Sequence, residues 1–161
     1  MSTHLKEKEE KIGQIITALT EDSANGKPII VEGKKDVESL RTLGVNGRML
    51  TVKTGGKSYL EATAEIEKLA AREVILLLDF DRRGREGTKR LKQDLERLKI
   101  KPNSKYWHAL LSLLGTEVQC IESLPSYLET LKAKSSTSAP KKQAHKQNSI
   151  AKTEFSKKFK L

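Results

Sequence analysis

The chain has 161 residues, of which 36% are hydrophobic and 4% aromatic, and 31 Lys and Arg stand against 21 Asp and Glu for a net charge of +10. That length suits one domain of ordinary size plus a tail and excludes a second large catalytic domain. A single cysteine, Cys120, excludes an internal disulfide and argues against a cysteine-built zinc site, while the charged start MSTHLKEKEEK and the lack of any long apolar stretch exclude a membrane span.

These features predict a soluble, cytoplasmic protein with no membrane partner and with Cys120 as a buried structural thiol. The positive charge points to a polyanionic partner, nucleic acid ahead of a lipid surface, because no long basic amphipathic helix with aromatic anchors is present. A thermophile-like surface rich in Lys and Glu is the competing account of the same charges.

Leu5 to Leu19 carries Ile12, Ile15, Ile16 and Leu19 at helical spacing, which predicts an amphipathic opening helix within residues 1–24. Breakers at Asn25, Gly26 and Pro28 precede Ile29, Ile30 and Val31, a short apolar run that reads as a buried strand ended by Glu32 and Gly33. Asp36 is placed to cap a helix bearing Val37, Leu40 and Leu43 and closed by Gly44. Arg48 to Val52 reads as a second strand, followed by the loop Lys53, Thr54, Gly55, Gly56, Lys57.

Ser58 to Ala70 reads as a helix, and Val74 to Leu78 as the strongest strand, because an unbroken VILLL suits a parallel sheet covered on both faces. A helix from about Gly84 to Lys99 carries Leu91, Leu95 and Leu98, and another from Tyr106 to Leu114 carries Leu110, Leu113 and Leu114. Tyr106 and Trp107 are expected to pack that helix on the sheet. Val118 to Ile121 reads as the last strand, and Ser123 with Pro125 opens a final helix through Leu131. The alternation predicts an α/β fold with a mostly parallel sheet of about four strands and helices on both faces. Residues 133–161 contain eight lysines against the single acid Glu154, eight less one or +7 of the net +10, and so little apolar content that a flexible tail is expected.

Ligands of an open parallel sheet bind beyond the carboxyl ends of its strands. Glu32 follows the first strand directly, Asp79 follows VILLL, and Asp81 stands two residues further, where an extended chain projects both aspartates to one side. Three converging carboxylates repel one another unless a cation joins them. Magnesium suits such an open oxygen-ligand site, so Glu32, Asp79 and Asp81 are the candidate ligands. Gly33 and Gly84 follow acidic turns where the backbone bends or meets a ligand closely. Lys34, Lys35, Lys53, Lys57, Arg82, Arg83 and Arg85 fall in the loops predicted at that edge and are candidate phosphate contacts, as are Lys141, Lys142, Lys157 and Lys158 of the tail.

The segments VEGKKDVESL (31–40), TGG (54–56) and DFDRRGREG (79–87) resemble the Toprim domain of topoisomerases, bacterial-type primases, overcoming-lysogenization-defect nucleases and 5S ribosomal RNA maturases. The shared pattern is Glu-Gly after the first strand and Asp-x-Asp-x-x-Gly after the third. The resemblance covers roughly residues 27–131, gives a Toprim domain at 25–132, and is closest to small single-domain members. It implies a Rossmann-like sheet, a general acid or base at Glu32 and magnesium at Asp79 and Asp81. A third acid found in some members is replaced here by Arg83. The length leaves no space for a topoisomerase tyrosine domain or the further domains of a primase. A magnesium-dependent nuclease acting on structured RNA, as the maturases do, is therefore the leading expectation. A protein that sits on ribosomal RNA without turnover is the rival one.

Overall fold

The computed structural model describes residues 2–53 and 58–135. In chain order they form α1 (Ser2–Ala24), β1 (Ile29–Val31), α2 (Lys34–Thr42), β2 (Met49–Thr51), α3 (Tyr59–Lys68), β3 (Glu73–Leu76), α4 (Arg82–Arg97), β4 (Lys101–Asn103), α5 (Lys105–Leu114), a 3₁₀ turn (Ile121–Ser123) and α6 (Leu124–Ser135). The four strands are parallel and ordered β2-β1-β3-β4. Lys57 and the tail lysines Lys141, Lys142, Lys157 and Lys158 lie outside the described residues.

The apolar runs split between two cores, as strand geometry requires of alternate side chains. Ile29, Val31, Ile75 and Leu77 pack with α1, α2, α5 and α6. Ile30, Val74, Leu76 and Leu78 pack with Ala62 and Ile66 of α3 and Leu91 and Leu95 of α4. An uninterrupted VILLL was therefore needed, because both faces are buried.

This layering fixes where a ligand can enter. The chain leaves β1 into α2 on one face of the sheet and leaves β3 into α4 on the other. Adjacent strands whose following helices diverge to opposite faces leave a crevice at their carboxyl ends. Glu32 and Asp79 sit at that crevice, the first directly after β1 and the second three residues after β3.

The fourth strand is Lys101–Asn103, and not the expected Val118 to Ile121. Lys101, Pro102 and Asn103 carry no apolar pattern, and Pro102 lacks an amide donor, a composition tolerated only on an edge strand. Val118 and Ile121 are buried because they fill the core between the helices of the first face. Their segment meets the β3 extension through the Phe80 amide, which donates to the Gln119 carbonyl at 2.8 Å, without a ladder. Cys120 is only half-buried, its Sγ 3.1 Å from Ser123 Oγ, since its two apolar neighbours take the inward positions.

The opening helix runs past Leu19 to Ala24 and joins the first core through Ile12, Ile16 and Leu19, all fully buried. Its end is tied to the sheet by polar contacts: Tyr106 donates to Asp22, and Lys27 pairs with Asp22 at 3.1 Å and Glu73 at 3.3 Å. Among the described residues no helix is long and apolar enough to cross a membrane.

Candidate metal and nucleic-acid site

Asp79 stands on an unusually constrained stretch of backbone. Trp107 donates its indole N–H to the Leu78 carbonyl at 2.9 Å and to the Asp79 carbonyl at 3.3 Å, so the expected packing role of this residue includes holding the strand end. Phe80 is fully buried against Trp107, with ring centroids 6.1 Å apart, and its carbonyl accepts from Arg85 Nε at 2.8 Å. Gly84 closes the arrangement from below. A Cβ there would lie 2.0 Å from the Asp79 carbonyl oxygen, so only glycine lets the first turn of α4 stack on that peptide.

The acids around Asp79 were only partly anticipated. Asp36 is buried at 5% exposure and caps α2 from the third helical position: Gly33 is the N-cap, and Asp36, three residues on, accepts from the Gly33 amide at 3.0 Å. That contact turns its carboxyl toward the crevice. Burial pushes the Asp36 pKa up, and the nearby Glu122 and Glu32 add to the rise against the Gly33 hydrogen bond. Asp79 is pushed up to about 7, first by burial, then by Asp36 and Glu32, and least by Asp81. Asp36 and Glu122 thus join the charge field of the three acids at the strand ends. The signal for Asp36 was present, an acid one helical turn after a strand end, but a capping role accounted for it.

Asp81 couples weakly to Asp79 because its Oδ1 accepts from the Gly84 amide at 2.8 Å as the N-cap of α4. Asp79 Oδ1 lies 3.4 Å from the Ile121 amide, and Asp81 still adds to the rise of the Asp79 pKa across the crevice. Among the described residues no three His, Cys, Asp or Glu side chains converge closely enough to hold one ion by themselves.

Glu32 is 4% exposed, and neither carboxylate oxygen receives a hydrogen bond of good geometry. Lys53 Nζ stands 2.8 Å from its Oε2 because β2 continues beside β1, the Lys53 amide donating to the Glu32 carbonyl at 3.0 Å. The ion pair holds the Lys53 pKa above its ordinary value. Gly33 has an extended backbone, φ −152°, and open space where a Cβ would be, so nothing in the protein requires glycine there.

The expected basic residues gather at this edge, though mostly in helices. Lys34 and Lys35 occupy the first turn of α2, and Arg82, Arg83 and Arg85 the first turn of α4, rather than loops. All five are exposed. Arg82 pairs with Glu86 at 3.2 Å, and Arg85 is committed to the Phe80 carbonyl. Helix amino ends carry partial positive charge, so these cations reinforce an anion-attracting edge around a buried acidic centre.

A Toprim domain model matches residues 27–110. A UPF0292 protein of Methanocaldococcus jannaschii is 43% identical over 120 residues, which cover 74% of this chain and 91% of that protein. A UPF0292 protein of Methanosarcina acetivorans is 33% identical over 129 residues, covering 80% of this chain and 88% of its own. Among solved structures, a protein of Aquifex aeolicus superposes with a TM-score of 0.57 at 23% identity over 68% of this chain and 94% of that one, which shows the shared fold. Glu-Gly after β1 and Asp-x-Asp-x-x-Gly after β3 occupy one crevice, and the family match spans both. This chain belongs to the Toprim family, among its UPF0292 proteins, and with that to metal-dependent, nucleic-acid-related function.

Proposed function

We propose that this protein is a magnesium-dependent, nuclease-type phosphodiesterase acting on structured RNA. The observation that carries the reading is the crowding of Glu32, Asp36 and Asp79 at one crevice, with both Glu32 oxygens buried and poorly bonded and Asp79 resisting ionisation. Lys53 offsets the Glu32 charge from one side at 2.8 Å, and acids that still raise the Asp79 pKa favour a further cation among them. The donor set is all carboxylate, which fits magnesium with several of its waters retained. Asp79 and Asp81 would hold the ion, with Glu32 beside it. When bound there it supplies an activated water and offsets charge growing on a scissile phosphate.

The chain's own residues do the remaining work. Glu32 would accept or return a proton at its carboxylate, with Lys53 paired to its Oε2 at 2.8 Å. Lys34, Lys35, Arg82 and Arg83 face solvent at the rim and would position the phosphate backbone. The lysine-rich segment 133–161 supports RNA as the polyanion, because dense basic segments bind it readily.

A second reading, ribosomal RNA binding without turnover, draws support from Asp81 being engaged as a helix cap and from the lack of a three-ligand cluster among the described residues. Single-turnover cleavage of deproteinised and ribosome-associated RNA, with and without magnesium, separates the two. The nuclease reading expects magnesium-dependent cleavage that Glu32→Gln lowers by roughly a hundredfold or more while RNA affinity is kept. Equal cleavage by both proteins removes Glu32 from the mechanism, and no cleavage of any RNA leaves the binding reading.

A further inference from the structure

A second concavity adjoins the acidic crevice. It lies between the first turn of α3 and the outer side of α4, with Val52 and Lys53 behind it, and encloses about 790 Å³. That size falls within the roughly 300–1,000 Å³ of small-ligand sites. Lys53, Arg83 and Arg90 contribute cations to its lining, Tyr59 an aromatic ring, and Leu60 a side chain that is 74% exposed.

The sequence builds this cleft by specific local choices. Ser58 caps α3, its Oγ accepting from the Glu61 amide at 3.2 Å, and so places Tyr59 and Leu60 in the first turn. Arg83, Gly87 and Arg90 recur at helical spacing on one face of α4. Gly87 is the floor: a Cβ there would lie 2.2 Å from the Tyr59 hydroxyl, so the phenol rests where a side chain would otherwise stand. The Arg90 guanidinium carbon is 5.9 Å from the Tyr59 ring centroid. Burial raises the Tyr59 pKa and Glu32 adds to the rise, while Lys53, Arg83 and Arg90 oppose it, so the ring lies within electrostatic reach of both the crevice glutamate and the three cations.

We propose that this cleft is a nucleotide subsite that receives one unstacked base of a single-stranded nucleic acid against Tyr59 and Leu60, its phosphate held by Lys53, Arg83 and Arg90. The proposal rests on the nucleic-acid phosphodiesterase reading and names the form of the substrate. Lys53 joins the two sites, since it lines the cleft and stands 2.8 Å from Glu32. A nucleotide seated in the cleft therefore brings a neighbouring phosphate to the acidic crevice. Lys53, Arg83 and Arg90 outnumber the one lining acid, Glu86, while Lys53 is shared with Glu32 and Arg90 with Asp94 at 3.9 Å. An aromatic ring with an arginine over it and an exposed leucine beside it is a platform for a flat π-face, which paired bases inside a duplex do not offer. Structured RNA presents such bases at loops and ends.

The test uses the full chain with EDTA present, so that binding is measured without turnover. Fluorescence anisotropy compares a labelled single-stranded RNA, a strand of equal length and charge made of abasic units, and a blunt duplex. Wild type should prefer the base-bearing strand over the abasic one by roughly tenfold or more, from the worth of one stacked base. Tyr59→Leu should remove that preference, and Leu60→Asp, at an exposed position outside both cores, should lower it. Arg90→Ala, also exposed, should weaken both strands, since Arg90 is proposed to hold the phosphate. Equal affinity of wild type for the two strands, a preference that survives in Tyr59→Leu and Leu60→Asp, or no binding to any strand overturns the subsite. Magnesium-dependent cleavage is scored separately. Cleavage without base preference refutes the subsite alone, and base preference without cleavage refutes the catalytic reading alone.

Discussion

Replacing Asp79 by Asn removes one charge from the acidic crevice while keeping an Oδ1 that still accepts from the Ile121 amide, so its effect isolates electrostatics. Burial, then Asp36 and Glu32, raise the Asp79 pKa from 3.8 to about 7. At roughly 1.4 kcal/mol per pH unit this rise corresponds to about 4 kcal/mol. Asp79 is only half-buried, and solvent screening reduces the figure to about 2 kcal/mol. The sign follows from proton binding. Between pH 3.8 and about 7 the native state keeps a proton that the unfolded chain has lost, so wild-type stability falls across that window. The penalty is absent below the unfolded value and complete above the native one. Without magnesium, Asp79→Asn should therefore be more stable than wild type by about 2 kcal/mol at pH 8, or about 6 °C in Tm for a chain of this length, with little such gain at pH 4. Millimolar magnesium should raise the wild-type Tm at pH 8 and leave the variant nearly unmoved, because binding to the native state stabilises by mass action. Thermal unfolding followed by circular dichroism at both pH values, with and without the ion, measures all of this. A variant no more stable than wild type at pH 8 would refute the charge-crowding argument, and an equal magnesium response in both proteins would place the ion elsewhere.

Four further outcomes are expected. Gly84→Ala should destabilise the fold by roughly 3 kcal/mol, since its Cβ would meet the Asp79 backbone at 2.0 Å and neither peptide can move aside. Gly33→Ala, with open space around it, should change denaturant stability by less than about 0.5 kcal/mol. Trp107→Phe should lose about 1–3 kcal/mol by leaving the buried Leu78 carbonyl without its indole donor, and should blunt the magnesium response of Tm if that contact positions Asp79. Deleting residues 136–161, beyond α6, should leave the melting transition in place but flatten the salt dependence of RNA affinity, because fewer lysines release counterions. An unchanged slope in filter binding would show that the segment does not touch RNA.

Periodicity and strand-end chemistry in the sequence sufficed for the α/β class, three of the four strands, every helix to within a few residues, and the meeting of Glu32 with Asp79. Each of these follows from local patterns: apolar runs long enough only for buried strands, glycine and proline at the breaks, and acids at strand ends that a parallel sheet must bring to one edge. The fourth strand was illegible because Lys101, Pro102 and Asn103 bury little and Val118 and Ile121 imitate a strand while filling a core between helices. Which acids share a charge field was also beyond the sequence. Asp36 enters the crevice because Gly33 caps α2 and turns it inward, and Asp81 leaves the strongest coupling because it caps α4. Spacing cannot distinguish a carboxylate that caps a helix from one aimed at a ligand, since both stand at the same position in the chain. The cleft of Tyr59, Gly87 and Arg90 joins residues about 30 apart through the packing of α3 on α4. It exists only once both helices lie on the same face of the sheet.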